Sequence, residues 1–287
     1  MCLPKKASAG ELFLYQMIAA DHPDAVRGHR VGGLEIDVYV PSRRVGFEFN
    51  GLFWHRETGV GRDYHLRKSQ VMHDHGIRLY HVWEDELDRI DVLRSRISNA
   101  LGRSGGGHGA RRTKVRGISS REAAAFCDLH HLQGGVTSSV AYGAFLGDEL
   151  VSVMSFGRPR FAGDCDLELL RLCSSRPVPG VAGKLFSAFR KDHPSERVVS
   201  YADRAWTFDP DGSVYGKIGF RFDGVTPPSY WYVVRGKRVN RMRLTKKRLM
   251  SMGGTGSTEL EMAASLGIYR VYNLGNLRFV SDGTSTK

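Results

Sequence analysis

The sequence is poor in cysteine, in acid relative to base, and in long apolar runs. Its 287 residues include 4 cysteines, Cys2, Cys127, Cys165 and Cys173, with no Cys-x-x-Cys pair among them. That spacing argues against a structural zinc site. A reduced protein whose cysteines fill space is the simpler expectation, although Cys165 and Cys173 are close enough in sequence to meet. No apolar run approaches the ~20 residues of a membrane span. The opening Met1 to Lys6 lacks the apolar core of a secretory leader, so a cytoplasmic location and no membrane partner are expected. No internal repeat is visible. Acidic residues number 30 against 42 Lys and Arg, a net charge of +12. Such a balance points to a polyanionic partner, nucleic acid before an acidic membrane surface. Hydrophobic residues make up 41% of the chain, enough for packed cores in two modest domains.

The most informative stretch runs from Leu34 to His55. It reads as two strands: Val38 and Val40 are β-branched, Pro41-Ser42 is turn chemistry, and Val45 to Phe49 resumes the strand. Asp37 and Glu48 stand inside these apolar strands. Glu35 precedes Asp37 by one pleat repeat and shares its face. A carboxylate buried in a sheet is costly unless it is paired or binds a metal. Oxygen ligands from neighbouring strands suit Mg²⁺, which also keeps waters and substrate phosphates. Asn50 and His55 leave the second strand toward the same place. The alternative is a hairpin whose acids face solvent or pair with Arg43 and Arg44.

The string of Asp37, a spacer and Glu48-Phe49-Asn50 resembles the core of the PD-(D/E)xK nucleases, with Asn50 where lysine is usual. The continuation Asn50-Gly-Leu-Phe-Trp-His55 resembles the very-short-patch repair endonucleases and the related EDxHD phage homing endonucleases. The likeness runs on through Tyr64-His65-Leu66-Arg67-Lys68 to Gly76–Glu86 and covers roughly residues 8–100. It implies Mg²⁺-dependent hydrolysis of double-stranded DNA, with Mn²⁺ as a possible substitute. The metal would sit on Asp37, Glu48 and Glu35, and His55 would act as base toward the attacking water. His65 and Lys68 would contact the scissile phosphate, with one of them replacing the charge that Asn50 cannot carry. Asp63 would supply the final acid, or simply cap a helix. Trp54 stacks or only packs, and Glu84 stands behind the site. If the gene is phage-borne, the compartment is the host cytoplasm.

The rest of the first domain reads as α/β. Ser8 to Ala20 is an amphipathic helix with Ser8 as N-cap and Glu11 at N3, a capping box. The nuclease resemblance instead sets Glu11 against the metal. A Gly- and charge-rich loop, 56–62, precedes a helix from Asp63 to His75 with Leu66 and Val71 inward and His65 and Lys68 sharing one face. Ile77 to Trp83 is a third strand, and Asp85 to Leu101 a closing helix. A fragment ending near Leu101 is expected to fold on its own.

Residues 102–117 read as a flexible basic linker, either a spacer or an arm for the minor groove, with Arg111, Arg112, Lys114 and Arg116 as phosphate contacts. Residues 118–250 read as an α+β domain: a helix over 120–130, a hairpin about Gly147-Asp148, a strand over 167–173, a glycine loop opening a helix at Gly180, and later strands. This order resembles the N-acetyltransferase-like (GNAT) fold. The likeness implies a backbone cradle for the pyrophosphate of acetyl-CoA before that helix, but Val178 and Pro179 stand where a basic residue is usual. Ser200-Tyr-Ala-Asp203 and Val214–Gly219 are similar to phage DNA-modification proteins. A basic run follows Tyr230-Trp-Tyr232: Arg235, Lys237, Arg238, Arg241, Arg243, Lys246, Lys247 and Arg248. It is either a DNA footprint or a solvated face. Residues 251–287 are expected to pack on the second domain as a C-terminal extension.

The expectation is therefore an α/β protein. An N-terminal PD-(D/E)xK-type nuclease domain, a mixed sheet flanked by helices, occupies residues 1–101, and a GNAT-like domain that binds DNA follows. The function expected is that of a homing-type endonuclease. A mismatch-repair nuclease, an acyltransferase or DNA-modifying enzyme, and a decayed nuclease are the competing readings.

Overall fold

The structure is a computed structural model that describes residues 7–102 and 109–283. In chain order its first elements are α1 (Ala9–Ala19), β1 (Val26–Val31), β2 (Leu34–Val40), β3 (Val45–Asn50), α2 (Tyr64–Asp74), β4 (Arg78–Trp83) and α3 (Ile90–Ala100). There follow β5 (Lys114–Gly117), α4 (Ser120–His130), β6 (Val140–Leu146), β7 (Glu149–Gly157), β8 (Leu167–Ser174), α5 (Val181–Asp192) and β9 (Val198–Asp203). The last are α6 (Val214–Lys217), β10 (Arg221–Val225), β11 (Tyr230–Val234), β12 (Lys237–Asn240), α7 (Lys246–Ser251), α8 (Glu259–Ser265), β13 (Tyr269–Tyr272) and β14 (Asn276–Ser281). The protein is thus a mixed α/β chain with three sheets.

Contacts gather it into two units that interleave along the sequence. The first holds the chain up to Asp88 with Asp203–Phe208 and Pro227–Asn276; the second holds Arg89–Ala202, Asp209–Thr226 and the chain from Leu277. This differs from linear boundaries at 101, 118 and 250, and the contacts give the reason. Leu52 and Trp83 bury themselves against Val233 and Val271, so residues 227–276 complete the core of the first unit. Arg89, just before α3, donates to the carbonyls of Asp128 and His131, which ties the start of that helix to the second unit.

In the first unit a four-stranded sheet runs β1-β2-β3-β4, antiparallel except for the parallel β3/β4 pair. Every residue of β3 is buried, as expected for a central strand flanked on both sides. β1 escapes a hydrophobic reading because it is a polar edge strand, exposed or half-exposed along its length. The capping box of Ser8 and Glu11 forms, and Gly10 lets α1 press on β3. A Cβ at Gly10 would lie 2.1 Å from the Phe49 ring. α2 reverses its expected orientation: His65, Lys68, Ser69 and Met72 are buried, while Leu66 and Val71 are only half-buried. Polar side chains turn inward because Glu48 and His81 wait there as partners. A second sheet, antiparallel β12-β11-β13, covers α7 and α8 around Tyr232, Leu244, Leu249 and Met262.

The second unit is a seven-stranded sheet in the order β10-β14-β9-β8-β7-β6-β5. β8 and β9 are parallel and are joined through α5. Its core packs Phe156, Phe186, Phe189 and Phe279. Part of the expected linker is structured: Lys114 to Gly117 is β5, paired with β6, and Arg116 lies 4.1 Å over the Phe145 ring. Arg111 and Arg112 sit exposed in a 3-10 turn. The glycine-rich centre of the linker, 103–108, lies outside the described residues, as do Met1 to Lys6. Cys127, rather than Cys165, meets Cys173, with Sγ atoms 3.5 Å apart.

Candidate active site in the first unit

The site begins with the β2/β3 register. Val38 faces Phe47 across the ladder, so Asp37 and Glu48 fall opposite one another at the next step. The Phe49 N–H donates to Asp37 Oδ2 at 2.8 Å and continues the pairing through a side chain. Both carboxylates line an open cleft of about 1590 Å³ whose walls also carry Glu11, Glu35, His55, Tyr64, Lys68 and Glu84. Six residues singled out in the sequence for catalysis or metal binding therefore line one cleft: Glu11, Glu35, Asp37, Glu48, His55 and Lys68.

Lys68 reaches in from α2 and forms an ion pair with Glu48 whose two side chains are each 5% exposed. Burial alone would lower the Lys68 pKa, but the Glu48 charge and hydrogen bond outweigh it and raise the value. Lys68 is therefore a fixed cation beside the acid pair. Glu48 and Asn50 stand two residues apart on β3.

The other predicted residues lie elsewhere. Asn50 is fully buried, and its Nδ2 lies 3.2 Å from His81 Nδ1. Ser69 Oγ lies 2.8 Å from His81 Nε2. This Asn50–His81–Ser69 chain anchors α2 to the sheet and does not reach the cleft. His65 is buried behind His55, with ring centroids 4.9 Å apart and nearly parallel planes. It does not line the cleft, so contact with a scissile phosphate is not its position in this structure. Burial first, then the charges of His81, His55 and Lys68, holds His65 well below the usual histidine range. Burial likewise brings His81 down to about 3, with Lys68 and His55 adding to it. Asp63 occupies the N-cap position of α2 without a capping hydrogen bond and is exposed. Glu35, by contrast, does line the cleft, where it pairs with Arg30 at 3.3 Å.

Comparison with known proteins adds the following. No family model matches the chain, and no curated protein matches it. Among solved structures it is similar to the catalytic domain of the homing endonuclease I-Bth0305I, at 21% identity and a TM-score of 0.30, over 33% of this chain and 96% of that one. It is also similar to a GNAT family acetyltransferase from Elizabethkingia anophelis, at 11% identity and TM-score 0.34, over 60% of this chain and 98% of that one. A third likeness is to an acetyltransferase from Bacillus subtilis solved with CoA, at 12% identity and TM-score 0.34, over 59% and 98%.

Around the cleft, the structure adds residues the sequence did not single out. Arg27, Arg30 and Tyr64 line it; the arginines come from the edge strand that hydrophobic patterning passes over. Trp54 is 75% exposed at the rim beside Phe53. Glu84 accepts the Leu52 N–H at 2.8 Å and so holds the start of the His55 loop. Of the basic run, Arg238 is committed to Asp85 and Glu86 at 2.7 and 2.9 Å, Lys237 to Asp88 at 2.9 Å, and Lys246 Nζ to the Ser257 carbonyl at 2.7 Å. Arg235, Arg241, Arg243, Lys247 and Arg248 are exposed.

In the second unit, residues 110–113 lie beside the start of α5. The Ala110 N–H donates to the Pro179 carbonyl at 2.9 Å, and Lys184 Nζ donates to the carbonyls of Ala110 and Thr113. Gly180 takes φ +83°, and a Cβ there would lie 3.6 Å from that of Ala110.

Proposed function

We propose that the first unit is a metal-dependent endonuclease acting on double-stranded DNA, of homing type. The observation that carries this reading is the convergence of Asp37, Glu48 and Lys68 in one open cleft with His55 beside them. Two carboxylates from adjoining strands are the donor set a hard cation such as Mg²⁺ accepts when substrate phosphate and water complete its shell. Among the described residues no group of three or more His, Cys, Asp or Glu side chains is arranged to hold a metal. The fit is therefore to a cation that the substrate helps to bind. Asp37 and Glu48 would hold it, and when bound it would activate water and neutralise phosphate charge. His55, half-buried at the cleft, would take a proton from the attacking water. Lys68 supplies the fixed positive charge that Asn50 cannot. The exposed Arg235, Arg241, Arg243, Lys247 and Arg248 supply phosphate contacts on the same unit.

Acyl transfer by the second unit is the competing reading. Residues 110–113 pack beside the start of α5, where Ala110 N–H donates to the Pro179 carbonyl and Lys184 Nζ donates to the Ala110 carbonyl. Calorimetry with acetyl-CoA is expected to show no binding heat, and micromolar affinity would support that reading. The nuclease is tested by incubating the protein with phage genomic DNA and Mg²⁺ and mapping ends by sequencing. Defined ends, lost in both Asp37→Ala and Glu48→Ala while DNA binding persists, are expected. Full cutting by either variant rules out the proposed site.

A further inference from the structure

The loop that carries His55, residues 51–62, is secured by a segment far away in sequence. Arg56 forms an antiparallel bridge with Val271 of β13. Next to it the Glu57 N–H donates to the Arg270 carbonyl at 2.9 Å. The same two residues pair through their side chains, Arg270 Nε to Glu57 Oε2 at 2.9 Å, at exposures of only 19% and 16%. At the far end of the loop Arg62 donates twice to the Pro228 carbonyl, at 3.0 and 2.6 Å. Leu52, at its start, is buried with Trp83, Val233 and Val271. The loop is thus fixed at its beginning, middle and end by residues 227–276. The exposed basic positions Arg241, Arg243, Lys247 and Arg248 belong to that same segment.

We infer that residues 227–276 form the frame that positions His55, with Glu57–Arg270 as the positioning pair, so that cutting competence is built by the segment that also offers the basic surface. The inference rests on the nuclease reading for its catalytic meaning, but the tether itself can be tested without activity. A short loop rich in glycine and charge does not hold a histidine to a fraction of an ångström. Misplacement by about 1 Å can cost on the order of 100-fold in rate. The backbone bridge supplies direction, and the ion pair, largely withdrawn from water, supplies strength beyond that of an exposed pair.

The test uses the full chain with Glu57→Gln, Arg270→Gln, the conservative Arg270→Lys, and the reversed pair Glu57→Arg with Arg270→Glu. Single-turnover cleavage is expected to fall by about 10-fold or more in each Gln variant, with DNA affinity changed by less than about twofold because neither residue belongs to the exposed basic set. The reversed pair and Arg270→Lys should recover most of the rate. A general loss of folding would show as lost affinity and would not be rescued by charge reversal. Independently of DNA, amide exchange across 51–62 should quicken in the Gln variants and slow again in the reversed pair. Unchanged exchange in both Gln variants, or a reversed pair no better than the singles, overturns the inference. Exchange that quickens in the Gln variants and slows in the reversed pair, together with a wild-type protein that cuts no DNA, would uphold the tether and sink the nuclease reading instead.

Discussion

Lys68 and Glu48 form a pair whose value lies in being complete. Two ions taken from water recover much of their lost solvation through each other, so removing one partner of such a buried pair costs about 3–5 kcal/mol. Lys68→Met should lower stability by that order, and Glu48→Gln by a similar amount. The double variant should lose clearly less than the sum, since neither charge is then left alone. All four tryptophans, Trp54, Trp83, Trp206 and Trp231, lie in the first unit, so tryptophan fluorescence in urea reads this unit specifically. Strict additivity would show that the pair does not couple. The buried histidines make a second prediction. His81 is held near 3 and His65 well below its usual value, so both remain neutral in the folded state while the unfolded chain takes up protons below about pH 6.5. Their contribution is fully present above pH 6.5 and is lost as pH falls; for His81 the loss continues toward 3, by about 1.4 kcal/mol per pH unit. The urea midpoint should therefore fall on acidification. His81→Gln should flatten that slope by about one proton, and an unchanged slope would remove His81 from the account.

At the scale of elements, the segment from β12 through α7 has divided its charges. Arg238 is spent on Asp85 and Glu86 and lies 5.0 Å over the Trp83 ring. Arg241, Arg243, Lys247 and Arg248 stay exposed. Replacing these four with Gln should weaken binding to all DNA sequences alike and reduce the slope of log K against log salt by about one per lost phosphate contact. Arg238→Gln should instead lower the stability of the first unit with little change in salt slope, because Asp85 and Glu86 would lose their partner. A salt slope unmoved by the four-fold change would leave Arg111, Arg112, Lys114 and Arg116, or the cleft arginines, as the footprint.

At the scale of the molecule, a chain that leaves the first unit at Asp88, re-enters it for Asp203–Phe208 and again at Pro227 cannot be cut between domains by a single break. A fragment ending at Leu101 keeps β1 to β4 and the cleft residues, but it loses Val233, Val271, Arg238 and Arg270, which cover Leu52 and Trp83 and hold the His55 loop. Such a fragment is expected to bind a hydrophobic dye and melt without a sharp transition. A cooperative melt at the full chain's Tm would show that residues 227–276 add nothing to the core.

Local chemistry made much of this legible in the sequence. The Ser8–Glu11 capping box is a short-range hydrogen-bond pattern, and the acids in β2 and β3 stood out because apolar strands rarely carry them. The pleat itself put Asp37 and Glu48 within reach of one cleft. Tertiary structure decided the rest. α2 turned its polar face inward because Glu48 and His81 satisfy Lys68 and Ser69, a pairing that no periodicity in α2 reveals. Asn50 and His65 carried the right residue types but were drawn into the interior by His81 and by the His55 stack. The partners of the His55 loop lie more than two hundred residues along, at Arg270 and Val271. Sequence patterns record what a residue does with its near neighbours, whereas the positions of His55, Lys68 and Arg238 were set by charges and apolar faces that meet only once the chain has folded.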